Sequence, residues 1–329
     1  MNSAFLYIVT VMIWGSTFFA VEFQLGVVAP EVSLVYRFVA ASLILFGFCK
    51  CTGRELKFAL RQHLWFIALG SLLFGINYVL AYRSQVYTTS AMTAIAFSTM
   101  LWMNIINARL FFGVRASRSV IVGAVLGVVG IATLFAPEVR EFSLEDTAVI
   151  GVLLAMTSAF VASLGNMASQ RAQKVNLPVV QSNAWGMLYG GALSALYAAI
   201  SGYEFAFELS PSYVVSLAYL AVFGSIFAFG AYLTLLGRIG AHRAGYAMVM
   251  FPLIALLLSA AFEGLVIDRY TIIGAALVLG GNLLVLLDGS RRAGALRREA
   301  RVEKKGQGNL GSAAAALAPA QAVRRPFEG

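Results

Sequence analysis

Residues 113–130 read GVRASRSVIVGAVLGVVG and residues 264–281 read GLVIDRYTIIGAALVLGG. At a constant offset of 151, Gly113 meets Gly264, Arg118 meets Arg269, Gly123-Ala124 meets Gly274-Ala275, and Gly130 meets Gly281. Farther upstream Phe74-Gly75 pairs with Phe223-Gly224, and Pro30 with Pro178, at slightly smaller offsets. Small residues recur on any helix-packing surface, so one glycine match carries little weight. Shared order and spacing carry more, and they point to a repeated unit.

Each copy runs into an apolar stretch, and such stretches fill the chain. Of its 329 residues 60% are hydrophobic and 12% charged, with a mean hydropathy of +0.82. A soluble domain averages about 25% charged residues. So few charges cannot cover a water-exposed surface of this size. Apolar runs near 20 residues cross a hydrocarbon core of about 30 Å as helices, and helices are favoured because lipid offers backbone groups no partners. The alternation of an outer-membrane barrel is absent. The sequence therefore predicts an all-α integral membrane protein with ten spans, near 4–22, 32–49, 63–82, 88–112, 118–136, 147–169, 178–200, 212–236, 243–262 and 270–288. Leu6 to Phe19 lacks a small-residue cleavage site and is expected to remain as part of the first span.

Pro30, Pro178 and Pro211 fall at span starts, where a missing N–H costs least. Pro252 falls inside the ninth span and is expected to kink or loosen it. Loop charges set the orientation. With the N-terminus in the cytoplasm, twenty basic residues lie inside and three, Arg83, Arg140 and Arg269, lie outside. Both termini are then cytoplasmic. Five spans per unit is an odd number, so the second copy enters the membrane from the opposite side. The expected architecture is a 5+5 inverted-topology repeat, residues 1–138 and 139–288, followed by a basic, disordered cytoplasmic tail over 289–329.

That tail accounts for much of the net charge of +9. Basic residues beside a last span suit anionic lipid headgroups, so lipid rather than nucleic acid is the expected partner. Cys49 and Cys51 read as reduced thiols at a span boundary, with spacing that fits neither a disulfide framework nor zinc. No catalytic or metal-binding motif is present: there is no HExxH, no phosphate loop and no pair of intramembrane aspartates. His63 and His242 fall at the cytoplasmic boundary. The reading is of a non-enzyme that needs no cofactor.

With these features on the page, the chain resembles the EamA module of the drug/metabolite transporter superfamily. The resemblance rests on Trp14-Gly15-Ser16-Thr17-Phe18, on Pro30 with Arg37-Phe38, on Phe251-Pro252-Leu253-Ile254-Ala255 through Phe262-Glu263-Gly264, and on Ile273-Gly274-Ala275-Ala276-Leu277 with Gly280-Gly281. Many members carry Gly-Glu after the fourth span, where this chain has Gly113-Val114. The resemblance implies a 5+5 fold around a central cavity, and export or exchange of a small metabolite. Rival readings are a carrier of another ten-helix family and a membrane receptor or assembly factor that transports nothing.

Arg37 is the charge set inside a span. It can dock an anionic group such as a carboxylate, snorkel to the outer face, or pair with Glu22 or Glu31. Inverted-repeat carriers bind solute near the midplane. About ten residues into a span, at 1.5 Å each, reaches that depth. Depth selects Trp14, Thr17, Tyr78, Ser98, Thr99, Trp102, Ser158, Tyr246 and Met250. Asn77, Asn166 and Arg37 join them as inward-pointing polar groups. The solute expected is a small amphipathic molecule, an amino acid or a relative of one. No Asp or Glu lies deep in a span, which favours facilitated diffusion or exchange over obligatory proton antiport.

Overall fold

The computed structural model describes residues 2–24, 26, 28–87, 93, 96, 97, 99–134, 136, 148–262, 268–281, 283–285 and 287. Every regular element among them is helical. The first half holds α1 (Ser3–Glu22), α2 (Pro30–Cys51), α3 (Leu60–Leu69), α4 (Asn77–Tyr87), α5 (Met100–Phe112) and α6 (Arg118–Leu134). The second half holds α7 (Ala148–Lys174), α8 (Val179–Ile200), α9 (Pro211–Tyr219), α10 (Ala228–Ile239), the short α11 (Ala241–Ala244), α12 (Ala247–Phe262) and α13 (269–281). Helix thus occupies each expected segment, in whole or in its described part. Among the described residues, four stretches have the length and hydropathy to cross a membrane: Pro30–Cys51, Leu60–Ser84, Val149–Lys174 and Pro211–Ile239. The shortest has 22 residues, about 33 Å of helix.

Local chemistry explains the helix ends. Pro30 and Pro211 stand in the first turn of α2 and α9, and Pro178 is the cap before α8. Ser210 accepts from the Tyr213 N–H ahead of α9. Ahead of α13, Asp268 accepts from the Thr271 backbone N–H at 2.8 Å and from its hydroxyl at 2.9 Å. Those bonds hold its carboxyl below the usual aspartate range. α5 ends on Gly113 in the left-handed region, φ +67°.

Two features have no counterpart in the sequence reading. A π-helical segment, Gly70–Ile76, joins α3 to α4, and a second, Leu220–Phe227, joins α9 to α10. A π turn carries one residue more than an α turn and shifts the carbonyls off the regular ladder. The second segment uses this freedom twice. Leu220 O accepts from the Ser225 hydroxyl at 3.0 Å, and Gly224 O accepts from the Trp14 indole at 3.3 Å.

Side-chain polarity is reversed relative to a water-soluble protein. Leu43, Ile44 and Phe48 on α2 and Leu153 and Phe160 on α7 face outward, exposed. Arg37, Asn77, Asn104, Asn107, Ser158 and Asn166 are buried. That distribution is stable where the surrounding medium is lipid, and polar groups inside must find one another.

Glycines let backbones meet. A Cβ on Gly70 would stand 2.5 Å from Gly186 O, which seats the first π segment on α8. A Cβ on Gly123 would lie 2.7 Å from Gly281 O, and one on Gly130 would lie 2.8 Å from Gly274 O. α6 and α13 therefore touch backbone to backbone at two levels.

Candidate solute cavity

A cavity of about 120 Å³ lies inside the bundle, walled by helices of both halves. Trp14 and Thr17 of α1, Arg37 of α2, and Asn77 and Tyr78 of α4 come from the first half. Asn166 of α7, Phe229 and Tyr232 of α10, and Met248 and Phe251 of α12 come from the second.

Arg37 is 2% exposed and its orientation is fixed. Its Nε donates to Ser225 Oγ at 2.9 Å, across to the second π segment. The guanidinium lies over the Tyr78 ring at 5.1 Å and near Phe38 at 5.3 Å. Of the pairings open to it from sequence, Glu31 is taken. Glu31 holds Arg83 of α4 at 2.7 Å. The side chain of Glu22 lies outside the described residues, and among those described no carboxylate pairs with Arg37.

The amides form two cross-helix braces. Ser158 of α7 donates to Asn77, at 2.7 Å from the side-chain oxygen and 2.8 Å from the backbone oxygen, while Asn77 Nδ2 donates to Leu73 O at 3.2 Å. Asn166 Nδ2 donates to Asn104 Oδ1 at 3.1 Å and to the Tyr232 hydroxyl at 3.0 Å. Trp14 completes the floor, edge-on to Phe229 at 5.0 Å and tilted against Tyr232 at 4.9 Å. Thr17 returns its hydroxyl to Trp14 O at 2.8 Å, so that hydroxyl is already engaged.

Six residues singled out in the sequence line the cavity: Trp14, Thr17, Arg37, Asn77, Tyr78 and Asn166. Ser158 stands one shell out and fixes Asn77. Four others point elsewhere. Thr99 bonds back to Ala96 O at 2.6 Å. Trp102 packs on a second core with Leu101, Val120 and Tyr246. Tyr246 gives its hydroxyl to Val120 O, and Met250 wedges between the two cores. Ser98 lies outside the described residues. Thr93, Phe97 and Met100 line the cavity instead, as do Met248 and Phe251, which share one face of α12. Phe229 was missed outright, although it and Tyr232 stand three apart on one face of α10.

A helical bundle that buries an arginine and amides around a cavity and turns apolar side chains outward has the make-up of a membrane transporter. It belongs to the EamA-like transporter family, whose model matches residues 1–136 and 149–287. The uncharacterized inner membrane transporter YedA of Escherichia coli K12 is 26% identical over 279 residues, 84% of this chain and 88% of that protein. The uncharacterized transporter YoaV of Bacillus subtilis is 23% identical, over 85% of this chain and 95% of its own length. Protein PagO of Salmonella typhimurium is 22% identical over 86% and 92%. A solved crystal structure, 19% identical, superposes with a TM-score of 0.74 over 88% of this chain and 98% of the other, a likeness of fold.

Proposed function

We propose that the chain is a ten-span secondary transporter that moves a small amphipathic metabolite, an amino acid or a related solute such as its deaminated acid, out of the cell or in exchange, by alternating access. The observation that carries this reading is the cavity between the two halves, with the buried Arg37 in its wall.

Three further features support a two-fold repeat of residues 1–138 and 139–288. The Gly123–Gly281 and Gly130–Gly274 contacts exchange with each other under the offset of 151, as a two-fold axis between α6 and α13 requires. The two π segments fall in the third helical stretch of each half. The cavity draws its wall from both. Similar halves of opposite topology can trade conformations and open the cavity to either side in turn. Both termini are read as cytoplasmic, with the basic tail at the anionic inner surface.

Purified chain in sealed liposomes tests this. A candidate solute loaded inside should drive saturable uptake of the same labelled solute from outside. Binding at the cavity without counterflow would leave a receptor and end the transport reading.

A further inference from the structure

We infer that the cavity selects its solute by negative charge: a monocarboxylate with one ring-sized apolar body and no ammonium group. This rests on the reading of the cavity as the solute site.

The arginine supplies the first reason. Its Nε is committed to Ser225, so what the fork offers a ligand is the pair of Nη groups, shared with the neighbouring Tyr78 and Tyr82 hydroxyls. That pair lies beside Thr17 at the wall, since a Cβ on Gly224 would stand 2.9 Å from Thr17 Cγ2 and 3.2 Å from Arg37 Nη2. Tyr78 under the guanidinium holds its plane. A planar cation fixed on both counts meets a carboxylate with two parallel bonds and little ordering left to do.

The remaining wall supplies the second. Its chemistry is aromatic and apolar, through Trp14, Phe229, Tyr232 and Phe251, with neutral amides at Asn77 and Asn166. The Asn77 side-chain oxygen is engaged by Ser158, and the unpartnered Asn166 oxygen is a neutral acceptor with no charge to balance an ammonium. Among the described lining residues there is no carboxylate to receive an ammonium. An arginine in a poorly solvated cavity is costly, and an incoming anion offsets that cost where a zwitterion offsets it less.

Size supplies the third. The cavity, about 120 Å³, is near the roughly 150 Å³ that accommodates benzene. One ring fits, and a nucleotide does not. Moving a net anion past a wall with no compensating acid also carries charge, so the inside-negative membrane potential favours exit.

Benzoate, benzamide, benzylammonium and phenylalanine, titrated calorimetrically into the full chain at neutral pH, test the inference. Benzoate is expected to bind about tenfold tighter than benzamide or phenylalanine, with benzylammonium weakest. Arg37→Gln should erase that ranking, and Glu22→Gln should leave it. Ser225→Ala, which keeps the charge and frees Nε, should weaken benzoate alone and serves if Arg37→Gln does not fold. Phenylalanine binding as tightly as benzoate, or a ranking indifferent to Arg37→Gln and Ser225→Ala, would overturn charge selection. In that event, loss of all binding in Trp14→Ala would leave the cavity reading standing. Benzoate binding unaffected by both Trp14→Ala and Phe229→Ala would overturn both readings.

Discussion

Gly123 and Gly281 meet so closely that a single Cβ on Gly123 would sit 2.7 Å from the Gly281 carbonyl oxygen. Backbone cannot swing aside as a side chain can. Gly123→Ala is therefore expected to separate α6 from α13 and to cost about 1–3 kcal/mol. At Gly127 the added atom would meet Val249 Cγ1 at 2.8 Å, a side-chain methyl that can turn. Melting of the purified variants should rank Gly123→Ala below Gly127→Ala, with solute affinity per folded molecule unchanged in both. An equal melting point for the two would contradict the contact.

Two tryptophans of the first half, Trp14 and Trp102, separate into different roles. Trp14 walls the cavity and Trp102 packs in the second core. Trp14→Ala should lower initial flux about tenfold or more at unchanged membrane abundance. Trp102→Ala should instead cost about 3–5 kcal/mol of packing and show as lost abundance, with KM of the surviving protein unaltered. Rate and abundance measured together distinguish them.

Ser158 acts through Asn77. Ser158→Ala removes a hydroxyl donor and leaves the buried Asn77 oxygen unpaired, at about 1–3 kcal/mol. The expected phenotype is a raised KM with modest loss of stability. A double-mutant cycle with Asn77→Ala should show coupling, and strict additivity of the two would mean the brace has no influence on the site.

Energy coupling is expected to be absent or indirect. Among the described residues of the cavity wall there is no Asp, Glu or His to exchange a proton between about pH 6 and 8. Initial rates should be flat across that window, with no solute-driven proton movement in liposomes. Proton flux abolished by Glu22→Gln would assign that residue the coupling role and sink the prediction.

Orientation is open to direct labelling. With Cys49 and Cys51 replaced, single cysteines at Ser3, Ser143 and Ser290 should report Ser3 and Ser290 inside and Ser143 outside. Finding Ser143 on the same side as Ser3 would remove the odd span count on which the inversion depends.

Helix positions were legible because their signals are additive along the chain. Hydropathy marked the segments, and Pro30, Pro178 and Pro211 marked where they begin. Rotation about each axis was not legible, because α12 is apolar on nearly every face and the amides of α5, Asn104 and Asn107, turn to α7. Hence Met248 and Phe251 line the cavity where Tyr246 and Met250 were expected. Arg37, Asn77 and Asn166 line the cavity, as expected of polar side chains that have few places to point in lipid. The π segments left no compositional trace. Their one added residue is a matter of hydrogen-bond register, and GSLLFGI and LAVFGSIF read like any apolar helix.

The Arg37–Ser225 bond also has a place in the chain's own synthesis. Its partners are 188 residues apart, so a ribosome adding about 5–20 residues each second delivers Ser225 some 10–40 seconds after Arg37. During that interval α2 must be held at the insertion machinery, or in the bilayer, with its guanidinium short of the hydroxyl that will receive it. Nascent protein is then most exposed to quality-control proteases in the stretch between α2 and the second π segment. An apolar replacement such as Arg37→Leu would shorten the hazard, so it should accumulate in the membrane more abundantly than the parent while losing the parent's hold on an anion.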